Sequence, residues 1–290
     1  MANNRQPSAL SMTVDDVALQ YLLYNGNTPA IVLQHATGFL PWLWHPIARR
    51  LCPVHQVVAP YFCDHRPSDI EKGGLSWIKL AEDLFNLCSR LNLKKPVMVG
   101  HSMGATVMTL AEALFGPFAA GLVLFEPIFL PQDYYNLNAQ LEDHPLAAKS
   151  IKRRNTWKDH AEAKAYLKTK KLFRFWDEEI LDLYLAHGMV EAGAGRGLEL
   201  TCPPTEEAAL FLGGNLYDPW PMLADISCPV LICEGENSGN SDFFKFKKVA
   251  DTVPRGSYRL IREAGHLIPM EKPEETFSII SRFVRTIVTP

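Results

Sequence analysis

Short apolar runs alternate with helical stretches along most of the chain. Six such runs, each bounded by Gly, Pro or a polar residue, predict strands at 30–33, 56–59, 96–99, 121–125, 229–233 and 258–261. Runs this short, without polar alternation, are typical of strands that are buried on both faces of a parallel sheet. Helical patterns lie between them at 77–91, 103–114 and 273–288. The alternation of strand and helix predicts an α/β fold.

The alternation is interrupted between about residues 130 and 222. This segment has few apolar runs of the strand type, and it has three helical patterns, at 159–171, 177–187 and 204–212. A helical insertion within an alternating chain predicts a cap that covers a site at the edge of the sheet. We therefore expect one domain, with a core at about 13–129 and 223–290 and a helical cap at about 130–222.

Composition and charge favour a protein with an ordinary core and a small-molecule partner. The chain has 290 residues, of which 47% are hydrophobic and 21% charged, and this is typical of a globular α/β domain. The formal net charge of −3 provides no long-range attraction for nucleic acid or for an anionic membrane. We therefore expect no nucleic-acid partner and no membrane association.

Cysteine spacing gives no indication of a metal site. The six cysteines include no CxxC pair, and most lie in apolar surroundings. Scattered buried thiols are typical of proteins from a reducing compartment. The first twelve residues are polar, without an apolar stretch of signal-peptide length. The sequence therefore predicts a soluble, cytoplasmic protein with no bound metal.

The strongest chemical motif is Gly100-His101-Ser102-Met103-Gly104, which lies between a predicted strand and a predicted helix. A Ser in such a turn projects its hydroxyl over the edge of the sheet, and the flanking glycines avoid collisions with neighbouring backbone. The following helix directs its N-terminus at the site, so the amide of Met103 can donate to a developing oxyanion. Ser102 is therefore the predicted nucleophile.

A serine nucleophile needs a base, and His266 stands where one is expected. It follows the last predicted strand and precedes the last predicted helix, and Gly265 before it allows a tight turn. When a nucleophile elbow of this kind carries a triad, the His comes last in chain order. His266 is therefore the predicted base.

The loop after the first strong strand is expected to supply a second oxyanion donor. It reads His35-Ala36-Thr37-Gly38-Phe39. The amide of Thr37 is the predicted donor, with the amide of Ala36 as the alternative. We expect His35 to brace this loop rather than to react.

Together with Leu124-Phe125-Glu126-Pro127, these motifs make the chain resemble the α/β-hydrolase fold proteins of the esterase, lipase, haloperoxidase and dehalogenase assemblage. The resemblance extends from Ala30 to Val288. It implies a mostly parallel, twisted sheet that is flanked by helices and carries a helical cap insertion. It says little about the substrate, because substrate choice depends on the cap and the pocket.

The acid of the triad departs from the common pattern of this fold. That acid usually follows the strand predicted here at 229–233, in a Gly-x-x-Asp turn, but this turn reads Gly235-Glu236-Asn237-Ser238. Haloalkane dehalogenases, which the preceding region resembles, carry their acid one strand earlier, where this chain has Glu126. A carboxylate there can orient the His and stabilise its cation. Glu126 is the predicted acid, and Glu236 or Asp242 is the alternative.

A Ser nucleophile predicts an acyl-enzyme intermediate. We expect a carboxylesterase for small or medium apolar acyl esters, with water as the second substrate and no cofactor. Three aromatic residues are predicted to line the substrate pocket: Trp42, Phe175 and Trp220. Three alternatives stay open: a C–C bond hydrolase, a cofactor-free haloperoxidase-like enzyme, and a non-catalytic ligand-binding module on the same fold.

Overall fold

The computed structural model describes residues 5–62, 65–135, 140–195 and 197–288. Across these residues the strands are β1 (Ser8–Val14), β2 (Val17–Tyr24), β3 (Asn27–Gln34), β4 (His55–Pro60), β5 (Val97–His101), β6 (Gly121–Phe125), β7 (Thr156–Trp157), β8 (Met189–Glu191), β9 (Leu198–Leu200), β10 (Val230–Gly235) and β11 (Gly256–Ile261). The α-helices are α1 (His45–Leu51), α2 (Trp77–Arg90), α3 (Met103–Phe115), α4 (Pro145–Ile151), α5 (His160–Lys168), α6 (Glu178–His187), α7 (Pro204–Gly213), α8 (Ser241–Phe244), α9 (Phe246–Thr252), α10 (Ile268–Glu271) and α11 (Pro273–Val288).

Eight strands form the main sheet, in the order β1-β2-β4-β3-β5-β6-β10-β11. The pairs β1–β2 and β2–β4 are antiparallel, and every other pair is parallel. The prediction of a mostly parallel sheet is therefore confirmed, and the six predicted strands correspond to β3, β4, β5, β6, β10 and β11. The prediction did not include β1 and β2. Most of β1 is exposed at the edge of the sheet, so its sequence has no apolar run.

Both faces of the sheet are covered by helices around its inner strands, which is why those strands are apolar at consecutive positions. Val32 packs on one face with buried side chains of α2 and α3, among them Leu84 and Met108. Its neighbour Leu33 packs on the other face with α1 and α11. Since successive side chains of a strand point to opposite faces, a strand between two helical layers needs apolar residues at consecutive positions.

The segment between β6 and β10 contains α4 to α7, and α5, α6 and α7 lie close to the three predicted helical patterns. It also contains a small antiparallel sheet, in the order β7-β9-β8. The expectation of a purely helical insertion is therefore incomplete. These strands have two or three residues each, which is too short to produce a recognisable period in the sequence.

This inserted segment contacts the core on two sides. On one side, Asp177 N, at the start of α6, donates to the carbonyl of Met270 at 2.8 Å. On the other side, α7 accepts two hydrogen bonds from the segment that leads into α2: Leu75 N donates to Ala209 O at 3.0 Å, and Trp77 Nε1 donates to Leu210 O at 2.7 Å. The insertion is therefore anchored to the core at two separate places.

The cysteines differ in state. Cys52, Cys88, Cys228 and Cys233 are buried free thiols, as expected. Cys202, in contrast, is disulfide-bonded, so the expectation of thiols throughout is wrong at this position. Its partner could not be identified from spacing, because pairing depends on the fold. None of the helices in the described ranges combines the length and the apolar character that crossing a membrane requires.

The start of α3 packs so closely on the loop after β3 that a side chain at Gly104 has no room. A Cβ there would lie 2.5 Å from the carbonyl oxygen of His35 and 2.7 Å from that of Gln34. We expect Gly104→Ala to lower the free energy of unfolding by about 1–3 kcal/mol, because two backbone segments must separate. Urea denaturation measures this change.

Gly239→Ala is the matched control, because a Cβ at Gly239 meets nothing within 4 Å. Its effect is expected to stay within about 0.5 kcal/mol. Equal free energies of unfolding for the two variants would show that the loop after β3 can move away from α3 at little cost.

Candidate active site

Ser102 occupies a strained turn between β5 and α3. Its φ of 54° and ψ of −120° lie outside the regions that L-residues ordinarily adopt. The turn is held by a hydrogen bond from Ser102 N to Phe125 O at 2.9 Å. A Cβ at Gly100 would lie 2.5 Å from the backbone of Ala105, so the turn requires a glycine there. These constraints fix the hydroxyl of Ser102 at the carboxyl edge of the sheet.

His266 lies between β11 and α10 and contacts two of the predicted site residues. Its Nε2 is 3.2 Å from Ser102 Oγ, and its Nδ1 is 2.7 Å from Glu126 Oε2. About 25% of the His266 side chain is exposed, whereas the Glu126 side chain is fully buried. Because a carboxylate only accepts, Nδ1 carries a proton, and Nε2 of the neutral ring is free to accept from the Ser102 hydroxyl.

Glu126 directly follows β6 and has a φ of 46°, a second strained position in the same site. Its carboxylate accepts two further hydrogen bonds, from Gly235 N at 2.8 Å and from Ser238 Oγ at 2.7 Å. Ser238 is the residue that replaces the expected Asp, and its hydroxyl contacts the same oxygen as His266. The sequence pattern assigned no role to Ser238, although its place in the turn, where an Asp is expected, was the available signal.

The two alternative carboxylates are not among the hydrogen-bond partners of His266 in the described residues. Glu236 is exposed, and its Oε2 accepts from Glu263 N at 2.9 Å. Asp242 is exposed in the first turn of α8. The structure therefore brings Glu126, rather than Glu236 or Asp242, to His266.

The two predicted oxyanion donors belong to segments that pack on each other. Met103 is the first residue of α3, so its amide has no acceptor within the helix. Thr37 is buried in the loop after β3, which the start of α3 approaches at Gly104. The Met103 amide directly follows the strained turn, and the role of Thr37 as the second donor stays a prediction.

His35 braces this loop. Its Nε2 accepts from Phe62 N at 2.9 Å, which leaves Nδ1 to donate to Ala36 O at 2.8 Å. Burial lowers the pKa of His35 to about 4, so the ring stays neutral and keeps this tautomer near neutral pH.

Glu207 of α7 also contacts the loop that holds Thr37. A Cβ at Gly38 would lie 2.3 Å from Glu207 Oε1, so the carboxylate fills the space beside this glycine, whose φ is +72°. Burial raises the pKa of Glu207, and Arg153, at 2.9 Å, opposes that rise. Nothing in the sequence pattern singled out Glu207, because the contact joins residues that are far apart in the chain.

The three predicted pocket aromatics have different surroundings. Trp42 stacks on His187 with ring centroids 3.7 Å apart, between the core and α6. Trp220 donates from Nε1 to Leu130 O and packs against Phe129. Phe175 is 66% exposed. The ring of Phe175 therefore faces solvent, and its place in the substrate pocket stays a prediction.

Other aromatic residues of the insertion reach the loop after β3. Trp176 and Tyr184 pack edge-on against Phe39, at 5.4 and 6.0 Å between ring centroids. All three rings are buried, in one cluster with Leu267 and Met270. This cluster connects the loop that holds Thr37, the insertion and the segment after His266.

Comparison with known proteins gives a consistent family assignment. A sequence profile described as the Alpha/beta hydrolase family matches residues 31–279. A putative esterase/lipase from Haemophilus influenzae is 25% identical over 260 residues, which are 89% of this chain and 84% of that protein. The match includes both the core and the insertion.

Solved structures share the fold over nearly the whole chain. E-2-(acetamidomethylene)succinate hydrolase superposes with a TM-score of 0.82 at 20% identity, over 96% of this chain and 99% of the other. A thermophilic esterase from Thermogutta terrifontis, crystallised with malate, gives a TM-score of 0.70 at 22% identity, over 98% and 100% of the two chains. The predicted fold class and the predicted enzyme class, hydrolase, are confirmed at the level of the family. The chain belongs to the alpha/beta hydrolase family.

Proposed function

We propose that the protein is a serine carboxylesterase that hydrolyses small or medium apolar acyl esters through an acyl-enzyme. The observation that carries this proposal is one continuous series of contacts: Glu126 Oε2 to His266 Nδ1 at 2.7 Å, and His266 Nε2 to Ser102 Oγ at 3.2 Å. These are the distances at which a base can take a proton from a serine hydroxyl.

In the acylation step, Ser102 Oγ attacks the ester carbonyl carbon while His266 Nε2 takes the hydroxyl proton. The carbonyl π electrons move to oxygen, and the amides of Met103 and Thr37 donate to that oxyanion. When the tetrahedral intermediate collapses, the bond to the leaving alkoxide breaks and the His266 proton passes to it. The products are an alcohol and an ester on Ser102.

In the deacylation step, water takes the place of the alcohol. His266 Nε2 removes a proton from water as the water oxygen attacks the acyl carbon. The bond between that carbon and Ser102 Oγ then breaks, Oγ takes the proton from His266, and the carboxylic acid is released. Throughout both steps, the carboxylate of Glu126 holds the ring of His266 and stabilises its cationic form. Ser238 and Gly235 donate to that carboxylate and keep it in position.

Two observations support an apolar acyl group. The loop that carries Thr37 contacts a buried aromatic cluster, in which Phe39 packs against Trp176 and Tyr184. Ser102 is only 7% exposed, and we propose that the insertion is the cap that shields it. A shielded, aromatic-lined site favours small apolar ligands over proteins or lipid aggregates. The relative from Haemophilus influenzae is itself named as a putative esterase/lipase.

The first prediction concerns the nucleophile. Ser102→Ala is expected to abolish labelling by a fluorophosphonate and to lower kcat for p-nitrophenyl acetate by about 10³-fold or more, because binding and the oxyanion donors alone leave only residual catalysis. Labelling followed by mass spectrometry of the modified peptide measures this directly. Persistent labelling of the variant would refute the assignment.

A substrate panel separates the proposed activity from its rivals. Wild-type protein is assayed on p-nitrophenyl esters of increasing chain length, on a β-diketone, and for peracid formation from acetate and peroxide. Turnover of acetyl to hexanoyl esters with no diketone cleavage supports the proposal. Diketone cleavage without ester turnover favours a C–C bond hydrolase, peracid formation without ester turnover favours the haloperoxidase-like alternative, and labelling without any turnover favours a binding module.

The second prediction concerns the acid. Glu126→Gln removes the charge that stabilises the His266 cation and leaves an amide of nearly the same shape. We expect kcat to fall by about 10³- to 10⁴-fold while KM changes little. Steady-state kinetics on the acetyl ester measures the loss, and circular dichroism with a thermal midpoint confirms that the fold is retained.

Glu236→Gln is the matched control, because Glu236 is exposed and contacts Glu263 N rather than the site. It is expected to change kcat by less than about threefold. A dead Glu236→Gln variant beside an active Glu126→Gln variant would show that the acid follows β10 after all.

The third prediction concerns the cap. Trp176→Ala removes a buried ring that packs on Phe39, whereas Phe175→Ala removes an adjacent ring that is 66% exposed. We expect Trp176→Ala to shift the acyl-length preference by two or more carbons, and Phe175→Ala to leave it unchanged. The ratios of kcat/KM across the ester panel measure the shift. A uniform loss across the panel in Trp176→Ala would mean that this ring only stabilises the fold.

A further inference from the structure

We propose that His101 is a positioning residue for the triad: its imidazole holds the main chain of His266 and so sets the approach of that ring to Ser102. This inference rests on the proposed function, and it adds a residue that does not touch the reacting atoms. It also assigns a role to the residue between Gly100 and Ser102, which the motif leaves undefined.

The contact joins the strand of the nucleophile to the loop of the base. His101 is the last residue of β5, is fully buried, and precedes Ser102 directly. Its Nε2 lies 2.9 Å from the carbonyl oxygen of His266, and the two rings are 5.1 Å apart between centroids. A carbonyl oxygen can only accept, so Nε2 of His101 carries the proton and donates.

The protonation state of His101 suits this task. Burial, and then the neighbouring His266, hold the pKa of His101 well below its usual range. The ring therefore stays neutral at the pH at which His266 acts as a base, and it has one N–H, which the His266 carbonyl uses. Nδ1 of His101 is buried and makes no hydrogen bond to any of the described residues. A neutral ring also adds no positive charge beside the His266 cation that forms in each step.

Other hydrogen bonds also fix the segment around His266, but they are made to its neighbours rather than to His266. The Glu271 carboxylate accepts from Gly265 N at 2.6 Å and from Leu267 N at 3.3 Å, so it shapes the loop from within. Asn237 N donates to Ala264 O at 2.8 Å and ties the start of the loop to the end of β10. The bond from His101 is made to His266 itself, by the residue adjacent to Ser102.

The expected consequence of losing this bond is a change in turnover rather than in binding. The distance of 3.2 Å between His266 Nε2 and Ser102 Oγ leaves little margin for proton transfer, and small misplacements of a catalytic group cost large factors in rate. The ring of His101 is fully buried, so we expect it to make no contact with substrate and KM to depend little on it.

The experiment compares His101→Gln with His101→Met. The two side chains are similar in length, but the Gln amide can donate to the His266 carbonyl from nearly the place of Nε2, whereas Met has no donor. We expect His101→Met to lower kcat for p-nitrophenyl acetate and the fluorophosphonate labelling rate by about 10²-fold, with KM within about twofold of wild type. We expect His101→Gln to keep both rates within about fivefold of wild type.

Two outcomes would overturn the inference. Wild-type rates in a folded His101→Met variant would show that the bond is dispensable, and equal losses in both variants would show that the donor is not what matters. If His101→Met has a lowered thermal midpoint, His101→Asn takes its place, because its shorter amide is polar but does not reach the carbonyl. Asn behaving like Gln would then contradict the inference.

A readout without turnover separates this inference from the proposed function. The proton shared by His266 Nδ1 and Glu126 is expected to give a downfield proton NMR resonance. We expect the resonance to persist in His101→Gln and to broaden or disappear in His101→Met. If the wild type hydrolyses no ester but the resonance responds in this way, the proposed function fails and the positioning role of His101 stands. If the resonance is identical in all three proteins, the positioning role is refuted.

Discussion

The buried carboxylate of Glu126 joins the three segments on which the site depends. It directly follows β6, accepts from Gly235 at the end of β10 and from Ser238 after it, and accepts from the ring of His266 after β11. A fully buried carboxylate is costly unless donors surround it, and here three donors do so. Removing any one of these donors would leave a carboxylate oxygen with too few hydrogen bonds in a low-dielectric interior. The geometry of the two loops that carry the donors therefore depends on the Glu126 carboxylate.

The histidines of the site also differ in how deeply they are buried. His35 and His101 are enclosed, their pKa values are lowered by burial, and each uses its single N–H on a backbone carbonyl. His266 keeps about 25% of its side chain exposed and lies against a carboxylate. Two neutral rings thus brace the loops, whereas the ring of His266 lies against the carboxylate that orients it.

Much of the fold was accessible from the sequence, because a strand that is covered on both faces must be apolar at consecutive positions. That constraint identified six strands of the main sheet, and helical periodicity identified α2, α3 and α11, but α1, α8 and α9 were not predicted. Of the main sheet, β1 and β2 were missed, and β1 is largely exposed at the edge. Strands β7 to β9 are too short to show a period. The disulfide at Cys202 was missed for a related reason, since thiol pairing depends on distance in space.

For the site, the sequence by itself determined the strained turn at Ser102, because that turn needs glycines on both sides. It also determined the position of His266, which comes last in chain order. It left three carboxylates open as partners of His266. The tertiary structure decided among them: parallel pairing of β6 with β10 puts Glu126 beside Ser238 and His266, while Glu236 and Asp242 point to solvent. The same holds for Trp176 and Phe175, which are neighbours in sequence, because only packing against Phe39 decides which ring is buried.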